Sequence, residues 1–258
     1  MELLAIAREG QLLLPGVDAL QISSTLVPET LRAKIRDRLT PNLCIAYGIS
    51  EIGFVTFATP AQLAADAPGS VGSLGPGVET RVVDSAGAVT ASGGNGRLFL
   101  RAPGMIDSYL DNPEETARSF RDGWFDTGDH VEWTPGGTLI HHGRADDVMI
   151  FDGMNIYPAE IEKALLEHPA VTDAVALRVR LKSRGDIPVA AVVLGSAATS
   201  HDLMVHCKSV LGGRAPMVVK QVDAFPRNAA GKVRRQALAK AIGPAIVQSV
   251  REELSRHT

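Results

Sequence analysis

The segment from Asp122 to Glu162 carries residue types that suit a sugar and a phosphate. Asp-Gly-Trp-Phe-Asp-Thr-Gly-Asp ends at Asp129, and Gly-Arg-Ala-Asp-Asp opens at Gly143. A fixed carboxylate can accept hydrogen bonds from vicinal hydroxyls, and a guanidinium beside a glycine turn and a helix start suits a nucleotide. Asp129 can equally cap a turn, because Thr-Gly-Asp has strong turn chemistry. The spacing predicts a ribose and phosphate site.

Three further residues could act on phosphate groups, and each also has a plainer explanation. Lys232 does not belong to a P-loop, because Pro226 and Val233 stand where that motif requires glycine and Ser or Thr. A flexible loop can still deliver a lysine to charge developing on a phosphoryl or acyl group, although a solvated basic loop is the plainer alternative. Ser50 and Glu51 can contact phosphate and Mg²⁺, but Ser-Glu is also a common helix start.

The composition favours small molecules as partners. The chain of 258 residues is 45% hydrophobic and 21% charged, which is long enough for two modest domains. Its net charge of -3 is spread without long runs of one sign, so there is no electrostatic case for nucleic acid or an anionic membrane. No segment approaches the roughly 18 apolar residues that a membrane span needs.

The cysteines and the first residues predict a cytoplasmic protein. Cys44 and Cys207 lie far apart in apolar segments and form neither a disulfide framework nor a metal-ligand cluster. A short apolar run between Glu2 and Arg8 is not a secretory signal.

The elements that position these residues begin with a strand-helix-strand pattern. Strands are predicted at Ala19–Ser23 and Leu43–Ala46, and a helix is predicted between them. This pattern is typical of the end of a parallel α/β sheet. The segment from Tyr47 to Glu51 then falls just past a strand's carboxyl end, where such sheets bind ligands.

Short apolar runs cut by glycine and proline extend from Gly69 to His142. Such runs predict several strands in a small β barrel or sandwich. Gly69, Gly72, Gly75 and Gly77 could cradle a phosphate, but their spacing matches no phosphate motif, and turns are the favoured interpretation.

From Ala145 onward the pattern predicts a compact α+β domain. Glu160 and Glu162 are expected in the first turn of its first helix, near the positive end of the helix dipole. The predicted elements are a helix at Pro158–His168, strands at Val171–Val179, Val189–Leu194 and Met217–Asp223, and a helix at His201–Leu211. The expected organisation is an α/β piece over about 1–60, a β-barrel-like piece over about 61–144, and an α+β domain over 145–258.

The order of these motifs closely resembles the adenylate-forming superfamily of acyl-CoA synthetases, adenylation domains and luciferases. The resemblance covers the chain from about residue 20 to the Lys232 loop and is most specific in the Asp122–Glu162 segment. Its motifs are Tyr-Gly-x-Ser-Glu from Tyr47, Asp-Gly-Trp-Phe-x-Thr-Gly-Asp ending at Asp129, Gly-Arg-x-Asp-Asp from Gly143, and Pro-x-x-x-x-Gly-Lys ending at Lys232.

The resemblance implies a two-step reaction on a carboxylic acid. ATP and the carboxylate would give an acyl-adenylate and pyrophosphate, and the thiol of CoA would then displace AMP. Tyr47 would stack on adenine with Gly48 beside it, and Ser50 would contact phosphate. Glu51 would help to hold Mg²⁺.

The remaining implied roles concern the ribose and the domain junction. Asp129 would accept hydrogen bonds from the ribose hydroxyls, with Arg144 supporting the same sugar. Lys232 would bridge acyl and phosphate oxygens during adenylation. Asp146 matches the hinge about which a mobile C-terminal lid domain rotates, and Gly153 would line the thiol's path after that rotation.

Two departures from the family pattern stand in the nucleotide motifs. Ser23-Ser24-Thr25 replaces a glycine-rich stretch, and Ser50 replaces a threonine but keeps its hydroxyl. A larger departure is that nothing in residues 1–20 can supply the family's phosphate loop. The chain therefore resembles the back half of the enzyme, and we expect apolar faces that include Leu12–Leu14 and Ile22 to be buried in a homodimer or against an N-terminal partner.

Three functions follow from these observations. The leading one is an AMP-forming acyl-CoA ligase, because Gly153-Met154-Asn155-Ile156-Tyr157-Pro158 looks like a free-standing CoA ligase. The second is an adenylation enzyme that loads a carrier protein. The third is a non-catalytic fragment or subunit that needs an N-terminal partner, and for the isolated chain we expect little or no ATP/pyrophosphate exchange.

Overall fold

The computed structural model describes residues 2–8, 10–25, 27–90, 94–181, 185–229 and 231–256. The chain divides into two compact units, Met1–Asp146 and Asp147–Thr258. Buried apolar clusters lie within each unit, so each has a hydrophobic core of its own.

The first unit begins with a four-stranded mixed sheet. Helix α2 (Glu29–Arg38) connects strand β1 (Leu20–Ser23) to the parallel strand β2 (Leu43–Ile49), which confirms the predicted strand-helix-strand pattern. Ile35 of the helix and Leu43 of β2 belong to the same buried apolar cluster. The other elements are helix α1 (Glu2–Ile6), strand β3 (Gly53–Ala58), helix α3 (Pro60–Ala65) and strand β4 (Ser73–Leu74), in the sheet order β1-β2-β3-β4.

Strand β2 extends further than the sequence predicts. Tyr47 and Gly48 lie inside it and not beyond its end, because β3 pairs with both residues in antiparallel register. Glycine is required at position 48, since an added Cβ would lie 2.3 Å from the carbonyl oxygen of Gly53. Ser50 and Glu51 form the turn between the two strands and do not start a helix.

An antiparallel sheet of six strands forms the rest of the first unit and confirms the predicted β-barrel-like region. Its elements are β5 (Glu79–Val83), β6 (Val89–Thr90), β7 (Asn95–Arg101), helix α4 (Pro113–Ser119), β8 (Phe120–Arg121), β9 (Trp124–Trp133) and β10 (Leu139–Arg144). The strands follow the order β10-β9-β7-β5-β6, with β8 paired to β9. Leu98, Val131 and Leu139 are fully buried in its core. Gly69 and Gly77 lie in turns with φ of +93° and +74°, which confirms the turn interpretation for these two residues, whereas Gly72 and Gly75 flank the short strand β4.

The second unit is a three-stranded sheet packed against helices, which confirms the predicted α+β domain. The unit is built on strands β11 (Met149–Phe151), β12 (Met154–Ile156), β13 (Val171–Leu181), β14 (Gly185–Leu194) and β15 (Val218–Gln221), and on helices α5 (Pro158–Glu167), α6 (Ser200–Leu211) and α7 (Arg235–Arg256). The sheet order is β13-β14-β15. Ile161, Leu165, Ile187 and Leu203 anchor its core.

Glu162 does not have the helix-dipole role expected for it. Its side chain is buried against the sheet, where Oε1 accepts hydrogen bonds from the Arg235 guanidinium at 2.6 Å and from the Ala176 backbone N–H at 2.8 Å. Only Glu160 remains in the first turn of α5. Glu162 therefore connects α5 to α7 and β13 within the unit.

Helix α7 and the hairpin of strands β11 and β12 are absent from the elements predicted for the second unit. Helix α7 is 22 residues long, and Pro244 within it interrupts the sequence signal for a helix. The hairpin of β11 and β12 turns at Asp152 and Gly153. Both residues have positive φ, which a type I′ hairpin turn requires at its two central positions. No helix in the described ranges, α7 included, is long and apolar enough to cross a membrane.

Both cysteines are buried as free thiols. Cys44 lies in β2 of the first unit and Cys207 lies in α6 of the second. Burial raises the pKa of the Cys207 thiol to about 11 and also raises that of Cys44. Both thiols therefore remain protonated and unreactive near neutral pH.

Candidate active site

Tyr47, Asp129 and Arg144 meet in one cluster in the first unit. Asp129 of β9 lies directly opposite Arg144 of β10 in the strand register. The Asp129 carboxylate accepts a hydrogen bond of 2.5 Å from the Tyr47 hydroxyl on one oxygen and one of 3.2 Å from Arg144 Nη1 on the other. The structure therefore brings together three residues that the sequence assigned to one nucleotide.

The backbone before Asp129 fixes the direction of its carboxylate. The Thr127 hydroxyl accepts a hydrogen bond from the Asp129 N–H at 3.0 Å and donates one to the Leu98 carbonyl at 2.8 Å. Gly128 adopts φ +68°, and an added Cβ would lie 2.3 Å from Nη2 of Arg144. Arg144 also donates to the Thr127 carbonyl at 2.5 Å, so a side chain at position 128 would displace the guanidinium from this bond and would adopt a strained backbone conformation. The Thr-Gly-Asp sequence thus supports both charged groups.

The cluster keeps Asp129 ionised and Tyr47 protonated. Asp129 is only 5% exposed. Burial disfavours the charged carboxylate, but interactions with His141, Tyr47 and Arg144 outweigh it, and the pKa of Asp129 is lowered. Burial and the neighbouring Asp129 raise the pKa of the Tyr47 phenol. The site therefore presents a fixed anion over the physiological pH range.

A cavity of about 370 Å³ lies beside this cluster. Its lining includes Tyr47, Gly48 and Ser50 from the Tyr-Gly motif, and Ser23 and Ser24 from the end of β1 and the residue after it. Ser24 has φ +64°, a conformation that glycine adopts with less strain. The cavity thus joins the Tyr-Gly motif to the segment that replaces the family's glycine-rich stretch.

Glu51 lies in the turn between β2 and β3, where its side chain is held by a tyrosine that the sequence did not indicate. The Tyr109 hydroxyl donates a hydrogen bond of 2.6 Å to Glu51 Oε1, and the Glu51 carbonyl accepts one from the Ile106 N–H at 3.0 Å. Within the described residues, no group of three or more His, Cys, Asp or Glu side chains could hold a metal ion. Glu51 can nevertheless supply the single carboxylate that Mg²⁺ commonly takes from a protein when phosphates supply other ligands.

His141 also belongs to the cluster, although no sequence signal marked it. Its Nε2 lies 3.5 Å from Asp129 Oδ1, and its ring centroid lies 5.3 Å from that of Tyr47. A β-bulge between His141 and Gly143 explains this position. In a regular strand, positions 141 and 144 would face opposite sides, but the extra residue turns both side chains towards Asp129.

Asp146 is held by Arg97, a second residue that sequence reasoning missed. Arg97 donates from Nε to Asp126 at 2.7 Å and from Nη1 to Asp146 at 2.9 Å. Asp126 also accepts from the Gly128 N–H at 3.0 Å. The last residue of the first unit is therefore connected through one arginine to the Thr-Gly-Asp sequence, which lies inside strand β9 and not in a turn.

Lys232 and Gly153 belong to the second unit and are not part of the cluster. Lys232 lies in a hydrogen-bonded turn, in which its carbonyl accepts from the Asn228 N–H and its N–H donates to the Asn228 side chain, both at 2.9 Å. A β-bridge between Arg227 and Val233 closes the turn. The Lys232 side chain is exposed at the tip, and Gly153 is exposed in the β11–β12 hairpin.

Two family models match the chain. The model described as AMP-binding enzyme matches residues 3–110, and the model described as AMP-binding enzyme C-terminal domain matches residues 160–232. The first match includes the Tyr47–Glu51 motif and the second ends at Lys232.

Curated relatives match most of this chain. It is 35% identical over 217 residues to indoleacetate–CoA ligase of Aromatoleum aromaticum, covering 82% of this chain and 42% of the relative. It is 32% identical over 219 residues to long-chain-fatty-acid–CoA ligase of Bacillus subtilis, covering 83% of this chain and 39% of the relative. The chain therefore spans less than half the length of these relatives.

Solved structures show the same pattern of similarity. The amide bond synthetase McbA from Marinactinospora thermotolerans superposes with a TM-score of 0.80 at 28% identity, covering 86% of this chain and 47% of that one. The o-succinylbenzoate CoA synthetase MenE from Bacillus subtilis, in complex with its acyl-adenylate intermediate, superposes with a TM-score of 0.77 at 28% identity, covering 86% and 46%. Together with the motifs and the two family models, these matches show that the chain belongs to the adenylate-forming, AMP-binding family of enzymes.

Proposed function

We propose that this chain carries the ribose site, the hinge and the catalytic lysine of an AMP-forming acyl-CoA ligase. In the first step, a carboxylate oxygen attacks the α-phosphorus of ATP, and pyrophosphate leaves to give an acyl-adenylate. In the second step, the thiol of CoA attacks the acyl carbon, AMP leaves and a thioester forms. The named acids of the relatives differ widely, so CoA ligation is what their names share.

The cluster of Tyr47, Asp129 and Arg144 is the observation that carries this proposal. An ionised, nearly buried carboxylate is a strong acceptor for the two vicinal hydroxyls of a ribose. Tyr47 is one of the residues that line the adjacent cavity, and an aromatic ring suits stacking on adenine. Gly48 and Ser50 line the same cavity, where the serine hydroxyl can donate to a phosphate oxygen.

Glu51 is the residue of this chain that would hold Mg²⁺ together with the phosphates of ATP. Bound Mg²⁺ would neutralise phosphate charge. The Tyr109 hydroxyl orients the Glu51 carboxylate and leaves its second oxygen for the ion.

Lys232, Asp146 and Gly153 are proposed to act at different stages. Lys232 would neutralise charge on the acyl and phosphate oxygens while the adenylate forms. The C-terminal unit would then rotate about Asp146 as a mobile lid, and the hairpin at Gly153 would line the path of the thiol. The position of Asp146 at the end of the first unit supports the hinge role.

Nucleotide binding by this chain tests the ribose assignment. Isothermal titration should show AMP binding at least about tenfold more tightly than 2′,3′-dideoxy-AMP, because the missing hydroxyls no longer donate to a charged acceptor. In Asp129→Asn the preference should disappear. Asp37→Asn, an exposed carboxylate on α2, is the matched control and should retain it. Equal affinity for the two nucleotides in the unaltered chain would contradict the proposal.

Half-reactions of the whole ligase test Lys232. Lys232→Ala should slow carboxylate-dependent ATP/pyrophosphate exchange by about 10² or more and spare thioester formation from a preformed acyl-adenylate. Lys240→Ala, on an exposed position of α7, should change neither rate. Equal losses in both half-reactions would count against the proposed role of Lys232. A separate outcome concerns the acceptor: transfer of the acyl group to a carrier protein but not to CoA would favour the carrier-loading function.

A further inference from the structure

His141 lies beside both groups proposed to bind the nucleoside, Tyr47 and Asp129. Its imidazole Nε2 is 3.5 Å from the Asp129 carboxylate, and its ring packs at 5.3 Å against the ring of Tyr47 with a tilt of 42°. The side chain is 27% exposed, so a proton can reach it from solvent. The bulge after His141 directs it into the cluster.

Donors already surround the Asp129 carboxylate. One oxygen accepts from Tyr47, and the other faces both Arg144 and His141. A carboxylate has about four acceptor positions, so two ribose hydroxyls can be accommodated only if a present donor withdraws. Tyr47 and Arg144 keep their protons near neutral pH, whereas an imidazole gains and loses its proton there. His141 is therefore the donor whose contact with Asp129 changes with pH.

The other charged groups around His141 do not remove this competition. His130 on β9 is uncharged between pH 5.5 and pH 8, because burial together with the facing histidines His142 and His141 lowers its pKa to about 4. Arg144 on the same strand as His141 disfavours a second cation beside it. Asp129 is the anion that faces the imidazole, with its Oδ1 3.5 Å from Nε2 of His141.

We propose that His141 is a positioning residue that makes nucleoside affinity depend on pH, because its imidazolium pairs with Asp129 and competes with the ribose hydroxyls. Lowering the pH from 8 to 5.5 should therefore weaken nucleoside binding. This inference rests on the proposed function of Asp129 as the acceptor for ribose.

Adenosine is the probe that isolates the competition, because it carries no phosphate whose own charge changes with pH. Its affinity for the chain, measured by saturation-transfer NMR, should fall about fivefold between pH 8 and pH 5.5, on the scale of one partly exposed ion pair. The affinity for adenosine should stay constant within about twofold over this pH range in two variants. His141→Gln keeps a hydrogen-bond donor but cannot be protonated, and His141→Phe keeps an aromatic ring. His142→Gln is the matched control, because its imidazole faces Glu132 at 3.3 Å, and it should keep the pH dependence.

A measurement without ligand tests the contact between His141 and Asp129 independently of the proposed ribose-binding role of Asp129. The titration of the Asp129 carboxyl carbon, followed by NMR, should move to higher pH in His141→Gln, because a group that lowers the pKa of Asp129 has been removed. If adenosine binds and His141→Gln reproduces the unaltered pH profile, the inference on His141 is overturned and the proposed function stands. Tighter binding at pH 5.5 would overturn the inference too. If adenosine does not bind at any pH, the proposed function fails and this inference fails with it.

Discussion

The hydroxyl of Tyr47 donates a 2.5 Å hydrogen bond to the carboxylate of Asp129, although 82 residues separate them in sequence. The bond joins the mixed sheet of the first unit to its antiparallel sheet. The residue expected to contact adenine therefore orients the residue expected to contact the ribose. A nucleoside would meet these two groups as one preorganised surface.

Substitution of Tyr47 separates the effect of its ring from that of its hydroxyl. Tyr47→Phe should bind adenosine at least as tightly as the unaltered chain, because the ring remains and one competing donor is lost. Tyr47→Ala should bind about tenfold more weakly, on the scale of one lost base-aromatic stack. Adenosine titrations at pH 8 measure both. An equal loss in the two variants would show that the hydroxyl, and not stacking, supports binding.

Tyr109→Phe should affect magnesium dependence and leave metal-free binding unchanged. The pKa of Tyr109 is raised to about 12 by burial and by Glu51, so its hydroxyl stays a donor at physiological pH. Without it, the Glu51 carboxylate loses its fixed orientation, and Mg²⁺-dependent ATP binding should weaken about threefold to tenfold, at the low end for a residue that orients a metal ligand. Calorimetric titration of ATP with and without Mg²⁺ provides the measurement. Glu51→Gln should abolish the magnesium effect, and AMP affinity should stay the same in both variants.

The two ion pairs of Arg97 should contribute unequally to stability. The side chain of Asp126 is 18% exposed and that of Asp146 is 65% exposed, so solvent screens the second pair more strongly. Double-mutant cycles of Arg97→Gln with Asp126→Asn and with Asp146→Asn should give coupling free energies of about 1 and about 0.3 kcal/mol. Both tryptophans of the chain lie in β9, so fluorescence during urea unfolding reports on the first unit. A larger coupling with Asp146 would contradict this ranking.

Stability of the first unit should fall as the pH is lowered from about 6.5 to about 4. The pKa of His130 is lowered to about 4 by burial and by the facing imidazoles of His142 and His141. In the unfolded chain this histidine is protonated below about pH 6.5, whereas in the folded chain it is protonated only below about pH 4. Protonation therefore stabilises the unfolded state between these values, and the unfolding free energy declines as the pH is lowered. Tryptophan fluorescence at pH 7.5 and pH 5 measures the decline. His130→Gln should flatten it, and His201→Gln, exposed on α6, should not; an unchanged slope in His130→Gln would refute the assignment.

Glu162→Ala should destabilise the second unit by about 2 kcal/mol, because it leaves the buried Ala176 N–H without its acceptor and the Arg235 guanidinium without its anion. Circular dichroism during urea unfolding, together with hydrogen exchange in α7, measures the change. Glu252→Ala, exposed on α7, should cost less than about 0.5 kcal/mol. A loss no larger than that of this control would show that the pair does not hold α5 to α7.

The sequence by itself determined the family and the order of the elements it predicted, and it proposed most of the residues of the candidate site. Local sequence patterns sufficed to predict these elements. Residues close in sequence, repeating at helical or strand periods, indicate the crossover through α2, the short strands after Gly69 and the apolar face of α5. The motif spacing likewise placed Asp129 and Arg144 in one segment of the chain. Asp129 and Arg144 face each other because β9 and β10 are consecutive and antiparallel.

Only the tertiary structure decided which side chains share the site and how they are held. Pairing with β3 extends β2 through Tyr47, and a one-residue bulge turns His141 towards Asp129. Neither event leaves a local signal, because strand periodicity specifies alternating faces and not the register at which an irregularity falls. The bonds from Tyr109 to Glu51 and from Arg235 to Glu162 span 58 and 73 residues, and each carboxylate was assigned alone until its distant partner was known.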